Sequence, residues 1–199
     1  PMLKSEELTA LSLRAYPFHP TSLIALPYLF RKLAQNERSI FAYLASHEPA
    51  GFQEFIAKNK IGSLIRLPDL FDYLSVNFQG RLYASGRARA ITETMDRLSN
   101  TFNVTLVEVD VLKTIGMLNW LSEISHLQAT ASSILDALIS SHATNDDIRN
   151  ALKNLQSRSL IVYRRFNKTY SIWQGSDIDI EERLQHAQQQ VSGFFSVAE

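Results

Sequence analysis

Residues 143–173, ATNDDIRNALKNLQSRSLIVYRRFNKTYSIW, hold the pattern that decides the fold. Thr144 and Asp147 stand at the spacing of a capping box, in which each side chain accepts the other residue's backbone N–H. Ile148, Ala151, Leu152 and Leu155 then follow at i, i+3, i+4 and i+7, which predicts a helix with one apolar stripe. From Leu160 the composition turns β-branched and aromatic, predicting two short strands around a turn at Arg165–Lys168. Upstream, VLKTIGMLNWLSEIS (111–125) is apolar on most faces, as expected of a central buried helix. ASSILDALISS (131–141) adds a helix with Ile134, Leu135 and Leu138 inward. Three helices followed by a hairpin is the order of a winged helix, a helix-turn-helix variant.

Working outward, the preceding stretch reads as short helices joined by short loops. YPFHPTSLIALPYLFRKL (16–33) predicts a helix from Thr21 or Ser22, with Pro27 either kinking it or marking its first turn. FQEFIAKN (52–59) predicts a short helix, and Pro68 opens another with Leu70, Phe71 and Leu74 on one face. GRARAITETMDRLSN (86–100) predicts one more, with Ala90, Ile91, Met95 and Leu98 inward. After the hairpin, Ser176 heads an amphipathic pattern of Ile180, Leu184, Ala187 and Val191. The expected fold class is mainly α. A helical bundle (1–105) precedes a winged helix with a small β-hairpin (106–175), and an outgoing helix (176–199) follows.

Composition removes several classes of chemistry. There is no cysteine among the 199 residues, so disulfides, thiolate nucleophiles and thiolate metal sites are absent. That agrees with a cytoplasmic setting. No apolar run reaches the length of a membrane span, so no membrane partner is expected. Net charge is zero, with 12 Lys and Arg against 9 Asp and Glu in residues 1–100 and 8 against 11 in 101–199. Neither a phosphate-binding loop nor a dinucleotide fingerprint occurs, and the five histidines stand apart without ligand spacing. VTLVEVD (104–110) superficially matches the acid-ended strand of nucleotide hydrolases, a reading the missing phosphate loop removes. No catalytic set and no metal site is expected in this chain. Its first residues, Pro1-Met2, lead to the expectation of a piece of a longer protein.

One segment does carry a charge signal. Between Arg149 and Lys168 there are six basic residues and no acid. Arg149 and Lys153, with Asn150, Asn154 and Gln156, fall on the outer side of the predicted third helix, where such folds read a major groove. Arg164, Arg165 and Lys168 fall on the wing, suited to phosphates. Asp146 and Asp147 at the helix start argue the other way, so DNA contact and protein contact both stand open.

LAQNERSIFAYL (33–44) interrupts an apolar stripe with Gln35, Asn36, Glu37, Arg38 and Ser39. A helix running straight through would carry Asn36 and Glu37 into the core, and a buried unpaired carboxylate is costly. The expectation is a turn near Gln35–Asn36, with Asn36 capping the next helix through the Ser39 amide.

These residues also carry a resemblance. Tyr16, Pro17, His19 and Pro20, followed by Ala34-Gln35-Asn36-Glu37-Arg38-Ser39, are similar to a segment of large prokaryotic AAA+ or STAND-like ATPases, some of them associated with phage defence. IWQGSDIDIEERL (172–184) resembles the junction after the winged helix in the same proteins, so the similarity spans most of 15–185. The resemblance implies that this chain is the lid and winged-helix portion of such an ATPase. The nucleotide-binding core would lie in a preceding part of the parent, which would use ATP and Mg and could oligomerise, while this chain binds no cofactor. It further implies a nucleotide-sensing role for Arg38, oriented by Glu37 and Asn36, against the plainer reading of a surface cap and salt-bridge cluster. The function expected is to couple nucleotide state to a protein or DNA partner. The rival is a stand-alone winged-helix DNA-binding regulator with a helical oligomerisation or sensing domain.

Overall fold

The computed structural model describes residues 14–33, 38–86, 88–122, 125–140 and 142–173. Within them the chain is mainly helical, with one two-stranded antiparallel hairpin near its C-terminal end. The helices are α1 (Pro20–Leu33), α2 (Arg38–Ala45), α3 (Phe52–Lys58), α4 (Leu67–Asn77), α5 (Gln79–Ser85) and α6 (Arg89–Ser99). They continue with α7 (Leu106–Ser122), α8 (Ala131–Leu138) and α9 (Asn145–Ser157), and end in β1 (Ile161–Arg164) and β2 (Thr169–Ile172). Pro27 lies inside α1 and Pro68 in the first turn of α4, where a missing N–H removes no helical bond. Among the described residues no helix is long and apolar enough to cross a membrane. The junction at 34–37 and the amphipathic stretch after Trp173 lie outside the described residues.

The first half closes around aromatic rings. Tyr43 and Tyr73 meet edge to face with centroids 4.7 Å apart, and Phe18, Phe30, Phe52 and Phe78 pack around them. Tyr73 keeps its hydroxyl satisfied by donating to Glu48 Oε2 at 2.6 Å. The segment before α1 is pinned by backbone bonds to the loop before α4: Ile65 N donates to the Pro17 carbonyl (2.7 Å) and His19 N to the Ile65 carbonyl (2.9 Å). The Tyr16–Pro17 peptide is cis.

α7 is the common wall of the whole core. Ten of its seventeen residues are buried, from Glu108 to Leu121, and it packs against α1, α4, α6, α8, α9 and β2. It begins five residues before the stretch whose apolarity marks it in the sequence. The cause is a capping box: Thr105 N donates to Glu108 Oε2 (2.8 Å) and Glu108 N to Thr105 Oγ1 (3.2 Å). That reciprocal pair is why a carboxylate only 4% exposed is tolerated here. Gly116 sits where α7 meets α6 so closely that a Cβ would lie 2.2 Å from Thr94 Oγ1.

α8, α9 and the hairpin complete the second half. Thr130 caps α8 by accepting from Ser133 N, and Thr144 and Asp147 form the expected box on α9. Ile148, Ala151, Leu152 and Leu155 are buried as the stripe predicts. The strands pair in the register Ile161↔Ile172 to Arg164↔Thr169, with the turn at 165–168. The segment between α7 and α8 adds an edge contact: Thr130 bridges Thr169 antiparallel, and Tyr170 N donates to the Ala129 carbonyl at 2.8 Å. Three arginines then tie the halves through backbone carbonyls. Arg66 Nη1 donates to Ala137 O (2.7 Å), Arg97 to Trp173 O, and Arg158 to Phe102 O (2.7 Å) and Asn103 O (3.0 Å).

Candidate nucleic-acid interface

α9 presents two unlike sides. Its apolar stripe faces α7 and α8, which leaves Arg149, Asn150, Lys153, Asn154 and Gln156 exposed on the opposite side. The strands end at Arg164 and Thr169, and the four turn residues Arg165, Phe166, Asn167 and Lys168 are all exposed. Lys168 takes a positive φ of 56° to close the turn, and Asn167 Oδ1 accepts from Thr169 Oγ1 at 2.7 Å and from Thr169 N at 3.3 Å. Asx side chains stabilise tight turns by this self-bonding.

The two elements adjoin. Tyr163 and Tyr170 form a cross-strand ring pair 5.0 Å apart on the hairpin face that also carries the buried Ile161 and Ile172. Burial, and then the neighbouring Tyr163, push the Tyr170 phenol up, while the positive charge of Arg149 pulls it back. α9 packs directly against β1. All five sequence candidates, Arg149, Lys153, Arg164, Arg165 and Lys168, thus lie on these two neighbouring elements, and all five are exposed.

The side chains of the five make no ion pair or hydrogen bond among the described residues, which is equally true of Arg14, Arg31, Lys60 and Arg81. What sets the five apart is that they gather on two adjoining elements. Several other cations are engaged. Lys113 pairs with Asp72 at 2.7 Å, Arg89 with Glu93 at 2.5 Å and Lys58 with Glu54. Arg66, Arg97 and Arg158 are spent on carbonyls. Arg158 is the informative case, because it belongs to the same basic run yet serves the fold. The acidic start of α9 divides in the same way. Asp147 accepts the Thr144 N–H (2.9 Å) and hydroxyl (2.6 Å), and these bonds hold its carboxyl below the usual range. Asp146 stays exposed beside it.

The residues proposed for nucleotide sensing are not brought into view: Asn36, Glu37 and the side chain of Arg38 lie outside the described residues. A second concavity, about 720 Å³, was not foreseen. Arg66, Asp69, Asp72, Asp110 and His142 line it together with the exposed Ile61 and Leu106. Burial pushes the Asp69 carboxyl up to about 6 and also raises Asp110. His19, beside Arg66, is held down at about 4, by burial first and the guanidinium second. Asp69 and Asp72 stand three residues apart on α4 and Asp110 comes from α7, with nothing in the local sequence to signal that the two helices converge. Among the described residues no group of three or more His, Asp or Glu is placed to hold a metal ion.

No family model matches the chain, and no curated protein or solved structure matches it either. The likeness to AAA+ and STAND-like ATPases rests on the motifs at 16–20, 34–39 and 172–184 alone.

Proposed function

We propose that residues 106–173 form a winged helix that contacts double-stranded nucleic acid mainly through phosphates, using Arg149, Lys153, Arg164, Arg165 and Lys168. One observation carries the reading: five exposed cations without side-chain partners among the described residues gather on two adjoining elements, while Arg158 of the same basic run serves the fold. Surface charges that pair with nothing inside the protein are free to displace counterions from a polyanion. The connectivity supports it, because the hairpin and the 129–130 edge contact pack against α7–α9 in winged-helix order. The α9 start, with Asp146 exposed, weakens a base-reading mode and favours backbone contact.

The second part of the reading comes from the resemblance. This module would belong to an AAA+ or STAND-like ATPase, with the helical bundle as its lid and Arg38 reporting on nucleotide, oriented by Glu37 and Asn36. Its function would be to transmit nucleotide state to the nucleic acid or protein held by the winged helix. The three arginine-to-carbonyl ties and the shared α7 suit that role, since motion of the bundle would carry the winged helix with it.

Two experiments test the two parts separately. Titrating a labelled duplex with the chain and with R164A/R165A/K168A should show weaker binding by the variant on every duplex sequence alike; equal affinity refutes the interface. In the full-length parent, R38A should fold normally and lose most ATP turnover or nucleotide-dependent assembly. Normal turnover with only reduced stability would make the 36–39 cluster structural.

A further inference from the structure

Cations account for phosphate contacts, yet the hairpin tip also carries a large apolar ring. Phe166 is 84% exposed and is followed by Asn167 and Lys168 and preceded by Arg164 and Arg165. It is not on a slack loop. The Asn167 side chain bonds Thr169, Thr169 is buried, and Thr169 is bridged to Thr130 at the other edge. The turn thus holds the ring outward between positive charges. Beside it a groove of about 540 Å³ runs along β1, lined by Gln156, Tyr163, Arg165 and Trp173 among others. Trp173, at the far end of the hairpin, is 37% exposed.

A protein partner for an apolar tip would be met by further apolar side chains, and here the tip offers only Arg, Asn and Lys around the ring. The complementary partner is a polyanion that also presents flat aromatic faces, which is nucleic acid. A ring stacks most readily on a base whose face is already open, because entering a closed duplex requires unstacking a base step. Aromatic side chains beside a basic groove are also the usual means of following an unpaired strand.

We propose that the hairpin recognises the junction between duplex and single strand: Phe166 stacks on the open base at the fork, and the unpaired strand follows the Tyr163–Arg165–Trp173 groove. This inference rests on the nucleic-acid reading above and adds the class of substrate to it.

The test is fluorescence anisotropy of the 199-residue chain against a blunt duplex, a forked duplex and a single strand of matched length. The fork should bind about tenfold tighter than the blunt duplex. Phe166→Ala should reduce fork affinity to the blunt level while leaving blunt binding within about twofold, and Phe166→Trp should keep the preference. A 2-aminopurine at the first unpaired position should change its fluorescence with the wild type and not with F166A. Equal wild-type affinity for fork and blunt duplex overturns the junction proposal and leaves the phosphate interface standing, and that ratio decides even if a variant fails to fold. An equal loss on both substrates with F166A overturns it too. Absence of binding to all three overturns both readings.

Discussion

Arg158 and Arg164 are indistinguishable in the sequence, two arginines of one basic run, yet their surroundings divide them. Arg158 donates to the carbonyls of Phe102 and Asn103 and so fastens the loop before α7, whereas the side chain of Arg164, at the end of β1, has no hydrogen-bond or ion-pair partner among the described residues. Arg158→Ala should therefore lower stability by about 1 kcal/mol, a modest figure for an exposed side chain, while Arg164→Ala stays within about 0.5 kcal/mol of the wild type. Urea midpoints of the two variants measure the difference, and equal midpoints would deny the distinction. At the same scale, Asp69 sets a pH dependence. Its carboxyl is raised from 3.8 to about 6, chiefly by burial, so the folded state holds the proton more tightly than the unfolded chain. The stability this gives is present below pH 4 and is lost as pH rises through about 6. His19, lowered from 6.5 to about 4, works in the opposite sense over the same window, so only a matched comparison isolates Asp69. Asp69→Asn retains an acceptor for the Arg66 amide. It should gain stability relative to the wild type between pH 4 and pH 7, and a constant gap across that range would rule the effect out.

Helices and strands were legible where their signals are local. The box at Thr144–Asp147 and the stripe at Ile148–Leu155 lie within a few residues of one another, and so do the strands on either side of the 165–168 turn. The start of α7 was equally local and was still missed. Thr105-Leu106-Val107-Glu108 is itself a capping-box sequence, but the following valines alternate as a strand does, which obscured it. α5 was missed because its seven residues, QGRLYAS, hold too few apolar positions to show a period. The acidic cleft was illegible for another reason. It forms where α4 and α7 pack together, and one sequence contains no record of that pairing. The α6–α7 contact yields a prediction of its own. A methyl at Gly116 would meet Thr94 Oγ1 at 2.2 Å and its Cβ at 3.0 Å, which no rotamer of Thr94 fully relieves. Gly116→Ala should cost about 1–3 kcal/mol despite alanine's better helix propensity, and Thr94→Ala should recover part of it. Additive effects in that double-mutant cycle would place the crowding elsewhere.

Across the molecule, one core runs from Phe18 to Ile172, and α7 contributes to the packing of both halves. Such a plan fixes α9 and the hairpin relative to the helices before them, and it places Arg149, Lys153, Arg164, Arg165 and Lys168 together in the second half. Net charge is zero, so any attraction for a polyanion must be local, and the proposed interface assigns it to these five cations. The salt dependence of duplex affinity tests this most directly. Binding through five phosphate contacts predicts that log K falls with log salt with a slope of about −4.5. In R164A/R165A/K168A the slope should flatten to about −2, with the fold unchanged. A slope near zero in the wild type, or an identical slope in the variant, would contradict the account.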